Sequence, residues 1–154
     1  METIEAEVAD GAVAGADGIL PMDRSQRMSA CVLGCALIGL LLVAGWLKPS
    51  STGQGTHQQL GLPPCTFIML FNVPCPTCGM TTSWSHFMRG NFVASWNANP
   101  GGLCLAILST AAGIWGFFVA IRGKYVRFLP SRFGWVIALA ITAITLVDWA
   151  YRIF

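Results

Sequence analysis

The chain is expected to be an all-α, multi-pass integral membrane protein. It should have three transmembrane helices plus a short interfacial or re-entrant helix carrying a Cys-Pro-x-Cys turn. Three observations predict this. Of 154 residues, 55% are hydrophobic and 10% charged, whereas soluble domains carry roughly 25% charged residues. Three apolar stretches, 28–47, 101–121 and 133–153, match the roughly 20 residues a helix needs to span hydrocarbon. Six of the seven acids precede residue 28, leaving the rest of the chain basic. A chain of this length supports one domain. A nucleic-acid partner is not expected, because that would need basic residues clustered on a soluble face.

Residues 1–27 hold small and acidic residues with few large apolar side chains and cannot bury a core, so they predict a disordered, acidic cytoplasmic tail. The helical membrane domain then runs over 28–154. Met28–Leu47 carries no charge and serves as a retained anchor, since no small-residue cleavage site follows it. Lys48–Gln59 is rich in turn formers and forms a loop, and its His57 is given no role. Residues 60–90 are a cysteine loop and a short helix. Pro100 and Gly101 open the second span. Four basic residues, Arg122, Lys124, Arg127 and Arg132, lie between the second and third spans.

Orientation follows from the Lys and Arg residues that flank the helices. Arg24 and Arg27 precede the first span and the basic linker follows the second, so both belong on the cytoplasmic side. The N-terminus is then inside, and Lys48–Pro100 faces the opposite side of a cell (inner) membrane. A fourth crossing through 65–88 would reverse this bias and drag Pro74, Pro76 and a polar Thr-Thr-Ser-Trp-Ser-His run through lipid. Small residues four apart, Ala30/Gly34, Cys35/Gly39, Ser109/Gly113 and Ala112/Gly116, would let helices approach closely. Cys31, Cys35 and Cys104 belong with these as packing residues. Asp148, the lone acid within a span, has Arg152 four residues on to pair with.

The chemistry concentrates in Pro63–Arg89, PPCTFIMLFNVPCPTCGMTTSWSHFMR. Pro76 suits the first turn of a helix, which would make Cys75 its N-cap and run the helix on through Gly79–Arg89. Met80, Trp84, Phe87 and Met88 would form its apolar face toward the bilayer interface or the bundle, with Thr81, Ser85 and His86 on other faces. A thiol at a helix N-terminus is stabilised as thiolate, which makes Cys75 the expected nucleophile and Cys78 its resolving partner. Three uses of these residues compete. The first is a structural disulfide or scaffold in which Cys65 bridges to Cys75 or Cys78, as an oxidising compartment allows. The second is membrane thiol–disulfide exchange through Cys75 and Cys78. The third is metal binding by Cys65, Cys75, Cys78 and His86, with zinc or copper as the ion. No cofactor is otherwise predicted.

At Cys65, Cys75-Pro76-Thr77-Cys78-Gly79-Met80-Thr81, Arg89-Gly90-Asn91 and Asn99-Pro100 the chain resembles the domain of unknown function 2752 family, small bacterial membrane proteins with a CPxCGxTR-like core. The resemblance covers roughly 60–121, and the position after Thr81, often arginine in the family, is Thr82 here. It implies that Cys65 belongs with the CxxC pair and that Gly79, Thr81, Arg89, Asn99 and Pro100 share one constellation. It supplies no activity. Read from the residues alone, Arg89 is equally a snorkelling side chain and Asn99 equally the cap of the second span. The expected partners are the lipid bilayer and either membrane helices of another protein or a second copy.

Overall fold

The computed structural model describes residues 19–126 and 131–154, so the expected tail before residue 19 and the centre of the basic linker lie outside the described residues. Three helices have the length and hydropathy to cross a membrane: α1 (Arg24–Trp46), α5 (Pro100–Arg122) and α6 (Ser131–Ile153). At 1.5 Å per residue, the 23 residues of each reach about 34 Å, enough for the hydrocarbon layer. Between α1 and α5 lie a 3₁₀ turn (Thr56–Leu60) and three short helices, α2 (Thr66–Phe71), α3 (Met80–Phe87) and α4 (Phe92–Ala98). None of these is long enough to cross, so among the described residues there are three candidate spans.

α1 begins four residues ahead of the expected Met28, so Arg24–Arg27 belong to the helix and not to the tail. The reason is a capping box: Gln26 N–H donates to Asp23 Oδ1 at 2.8 Å, and Asp23 N–H donates to Gln26 Oε1 at 3.2 Å. Arg27 Nε then donates to the carbonyl of Ala120 at 2.9 Å, satisfying a C-terminal acceptor of α5. At this end a two-stranded antiparallel ribbon, β1 (Ile19–Pro21) and β2 (Lys124–Val126), pairs Pro21 with Lys124, a small addition to the all-helical expectation. The entry to α1 and the exit from α5 therefore share one end of the bundle.

α1 and α5 pack most intimately, through glycines. A Cβ on Gly34 would sit 3.1 Å from the Gly113 carbonyl, and one on Gly116 would sit 3.0 Å from the Ala30 carbonyl. The Ala30/Gly34 stripe thus forms the interface. Cys35 is exposed and Gly39 has open space around it, so the Cys35/Gly39 pair faces away from α5. α6 meets α5 near Gly101, where any Cβ would collide with Thr145. Asp148 and Arg152 form the expected ion pair.

α3 departs from expectation in two ways. It starts at Met80, not at Pro76, and the face it buries is polar: Thr82, Ser83 and Ser85 are buried while Met80, Trp84 and Phe87 are half-buried. The cause is the narrow gap between α3 and the Gly101–Gly102 start of α5, where a Cβ on Gly102 would lie 3.0 Å from Ser83. Small hydroxyl residues fit that gap and supply donors to carbonyls at two helix ends and within α3. Ser85 Oγ donates to Leu47 at the end of α1 (2.7 Å), Ser83 Oγ to Asn99 at the start of α5 (3.0 Å) and Ser95 Oγ to Ser83 (2.7 Å).

A three-cysteine candidate site

Cys65 occupies the N-cap position of α2, and Cys75–Gly79 form consecutive tight turns ahead of α3. Cys78 N–H donates to the Cys75 carbonyl at 3.0 Å, and Met80 N–H to the Thr77 carbonyl at 3.2 Å. The expectation of Cys75 as helix N-cap is corrected here, because Gly79 at φ +89° breaks the helical path between Pro76 and Met80. Gly79 is held there twice over: a Cβ would violate this backbone conformation and would also strike the carbonyls of Ala98 and Gly53. The residue after the CxxC pair is therefore what bends the turn into α3.

Asn99 anchors the turn from below. It is fully buried, caps α5 by accepting from Gly102 N–H at 2.7 Å, and donates through Nδ2 to the carbonyls of Cys78 (3.1 Å) and Pro76 (3.3 Å). Pro100 follows as the first residue of α5, where its missing N–H has no cost. From the far side, Trp149 of α6 donates its indole N–H to the Pro74 carbonyl at 2.7 Å. Both spans flanking the site thus grip carbonyls on either side of Cys75.

The three sulfurs converge, all within 4.8 Å of one another. Cys75 Sγ lies 3.1 Å from Cys78 Sγ, wider than the roughly 2.05 Å of a disulfide but needing only a small closure to form one. Cys75 N–H points at Cys78 Sγ (3.3 Å), and Thr77 Oγ1 sits 3.2 Å from Cys75 Sγ. All six cysteines are free thiols. Their environments differ sharply. The first-turn amide of Ile68, opposed by partial burial and assisted by Cys78 and Cys75, lowers the Cys65 thiol to about 7. Burial first, and then the neighbouring Cys75 and Cys65, pushes Cys78 up to about 12. The helix-terminus thiol that sequence reasoning assigned to Cys75 is Cys65.

The cluster opens into a cleft of about 560 Å³. Thr81 lines it, as do Thr52, Gln54 and His57 of the first loop, which sequence reasoning left without a role. His57 is placed there by a contact of its Nε2 with the Pro63 carbonyl (3.2 Å) and by the 3₁₀ turn, whose Thr56 hydroxyl meets that of Thr82 at 2.8 Å. No spacing in the sequence signals that pairing. His86 does not join the sulfurs. It lies on α3 with its imidazole held below the usual range by burial and then by Arg89. Arg89 serves the scaffold, donating from Nη1 to the carbonyl (2.9 Å) and hydroxyl (2.7 Å) of Ser85. The metal set that the geometry brings together is accordingly Cys65, Cys75 and Cys78, without His86.

The matched segment now has a physical outline. Residues 65–113 match the family described as protein of unknown function (DUF2752). The DUF2752 match begins at the first thiol of the cluster and ends at the glycine of α5 that packs on α1. Thr82, which stands after Thr81 in the matched segment, is buried with its hydroxyl 2.8 Å from that of Thr56 and borders the cysteine cleft. Nothing matches among curated proteins or among solved structures.

Proposed function

We propose that the cleft carries out thiol–disulfide exchange at the membrane surface. The observation that carries this reading is the unequal trio: an accessible thiol at a helix start within 4.8 Å of a close Cys75/Cys78 pair whose second member is buried. An exchange centre needs that asymmetry, since the thiolate attacks and a protected partner resolves. A purely structural bridge needs two cysteines and leaves the third without purpose. The Lys and Arg residues at the opposite end of the bundle support placing the cleft on the outer face.

The steps balance as follows. The Cys65 thiolate attacks a substrate disulfide; a Cys65–substrate disulfide forms, and one substrate thiolate leaves and takes a proton. Cys75 then attacks the Cys65 sulfur, releasing the second substrate thiol and leaving a Cys65–Cys75 disulfide. Cys78 attacks Cys75, frees Cys65 and closes the 3.1 Å gap. Two electrons and two protons pass from the pair to the substrate, and the same steps in reverse oxidise a substrate dithiol.

A second reading has its own support. Three mutually close sulfurs also suit a soft ion such as Cu(I) or Zn(II), with the cleft as its open side. One experiment separates the two. The purified chain is poised across a series of glutathione potentials, each cysteine's oxidation is followed by alkylation mapping, and bound metal is measured alongside. A reversible two-electron Cys75/Cys78 couple is the expected result, lost in Cys75→Ser, replaced in Cys78→Ser by a trapped Cys65–Cys75 disulfide, and reached more slowly in Cys65→Ser. Stoichiometric metal that blocks alkylation of all three would replace exchange with metal binding.

A further inference from the structure

A second cavity lies on the other side of the cysteine turn. It has a volume of about 480 Å³, within the roughly 300–1,000 Å³ of small-molecule sites. It lies between α5 and α6, with Leu105 and Leu108 on one wall and Ile137 and Ile141 on the other. Gly134 and Ala138 create the depression by presenting almost no side chain along one stripe of α6. Its upper end is closed by Pro76, Thr77 and Met80.

Thr77 and Met80 also line the cysteine cleft, so the two cavities share a wall. That wall has chemistry and give. Thr77 Oγ1 is 3.2 Å from Cys75 Sγ, and the Met80 side chain is unbranched, flexible and polarisable. The groove's mouth lies along two helices long and apolar enough to cross a membrane, a position that suits a lipid-soluble molecule. Thr142 lines it as an exposed hydroxyl that donates to Ala138 (2.9 Å), which leaves its oxygen able to accept a further hydrogen bond, whereas Thr145 is buried with its hydroxyl against Gly101.

We propose that this groove seats the ring of a lipid-soluble quinone, which reoxidises the Cys75/Cys78 pair. The inference rests on the exchange reading above. Turning two thiols into a disulfide releases two electrons and two protons, the number a quinone takes up on becoming a hydroquinone. One S–S bond forms, two S–H bonds break, and each quinone carbonyl oxygen gains a proton. A flat ring between the Leu and Ile walls would present one oxygen toward Thr77 and the other toward the Thr142 hydroxyl, where the hydroquinone O–H groups find acceptors. The chain would then draw electrons from substrate thiols on its watery side and deliver them to the membrane pool on its greasy side.

The test uses the full chain, reduced, in phosphatidylcholine nanodiscs, with ubiquinone-1 as one oxidant and oxidised glutathione as the other. Quinone absorbance and alkylation mapping are read together. The expected result is one quinone reduced per Cys75–Cys78 disulfide formed. Gly134→Phe, at a site with open space for a Cβ, should slow quinone reduction about tenfold or more. Its rate with glutathione should stay unchanged. Ala138→Phe serves as an independent filling variant. Oxidation by glutathione without any by quinone, or equal effects of the filling variants on both oxidants, would overturn the quinone site and leave the exchange reading standing. Inertness to both oxidants would remove the exchange reading, and the quinone site with it.

Discussion

Replacing Asn99 tests how the membrane helices hold the thiols. Its side chain does two jobs from one buried position, capping α5 through Oδ1 and bridging the Cys78 and Pro76 carbonyls through Nδ2. Asn99→Ala removes both. A lost cap costs about 0.5–2 kcal/mol, and an orphaned buried acceptor about 1–3 kcal/mol, so the variant should lose on the order of 2–5 kcal/mol. Asn99→Asp separates the jobs. The carboxylate still caps α5, but it places negative charge against two carbonyls at a fully buried site. Burial raises the folded pKa of the introduced carboxyl above its unfolded value. Its stability contribution is therefore present below the unfolded pKa and lost as pH rises through the folded one. Unfolding of wild type and both variants in mixed micelles, followed by far-UV circular dichroism at pH 4.5 and 7.5, measures this. The Asp variant should be at least as weak as the Ala variant at pH 7.5 and should recover toward acid, with Cys78 alkylated faster in both. If Asn99→Asp matches wild type at both pH values and leaves Cys78 protected, the carbonyl bridge does not hold the turn.

Three further outcomes are expected. Gly79→Ala carries the left-handed penalty of about 1–2 kcal/mol as well as an overpacking cost of about 1–3 kcal/mol against two carbonyls, and the same micelle titration reads the loss. Alkylation of Cys65 in wild-type protein, resolved by mass spectrometry, should rise with pH to half its maximum near pH 7 and fall off below it, while Cys78 stays unreactive until far more alkaline pH. A Cys65 profile centred near 9 would remove the α2 terminus as its activating feature. Gly116→Leu should part α1 from α5 at Ala30 and cost about 1–3 kcal/mol, whereas Gly39→Leu, facing open space, should cost little in the same assay.

Most of the architecture was legible in the residues themselves, because crossing a bilayer imposes a length and a polarity that few sequences meet by accident. The stretches 28–47, 101–121 and 133–153 announce their spans in that way, and the observed bounds differ mainly where a cap adds a turn, as Asp23 and Gln26 do for α1. Pro100 after Asn99 likewise foretold the start of α5, since both act through neighbours in the chain. The thiols were different. That Cys65, Cys75 and Cys78 belong together could be read from motif and resemblance, and the structure brings their sulfurs within 4.8 Å of one another. Which of them has its acidity raised could not be read, because that depends on which helix start lies beside each thiol and on how deeply it is buried. Gly79 reads as a plausible helix residue until Ala98 and Gly53 close in around it. His57 enters the cleft through the Thr56–Thr82 contact across 26 residues, and the groove under Thr77 exists because α6 presents Gly134 and Ala138 where it runs beside α5. Local chemistry wrote the helices and marked the cysteines; only packing decided their surroundings, since sulfur acidity and access depend on what lies around the atom in space.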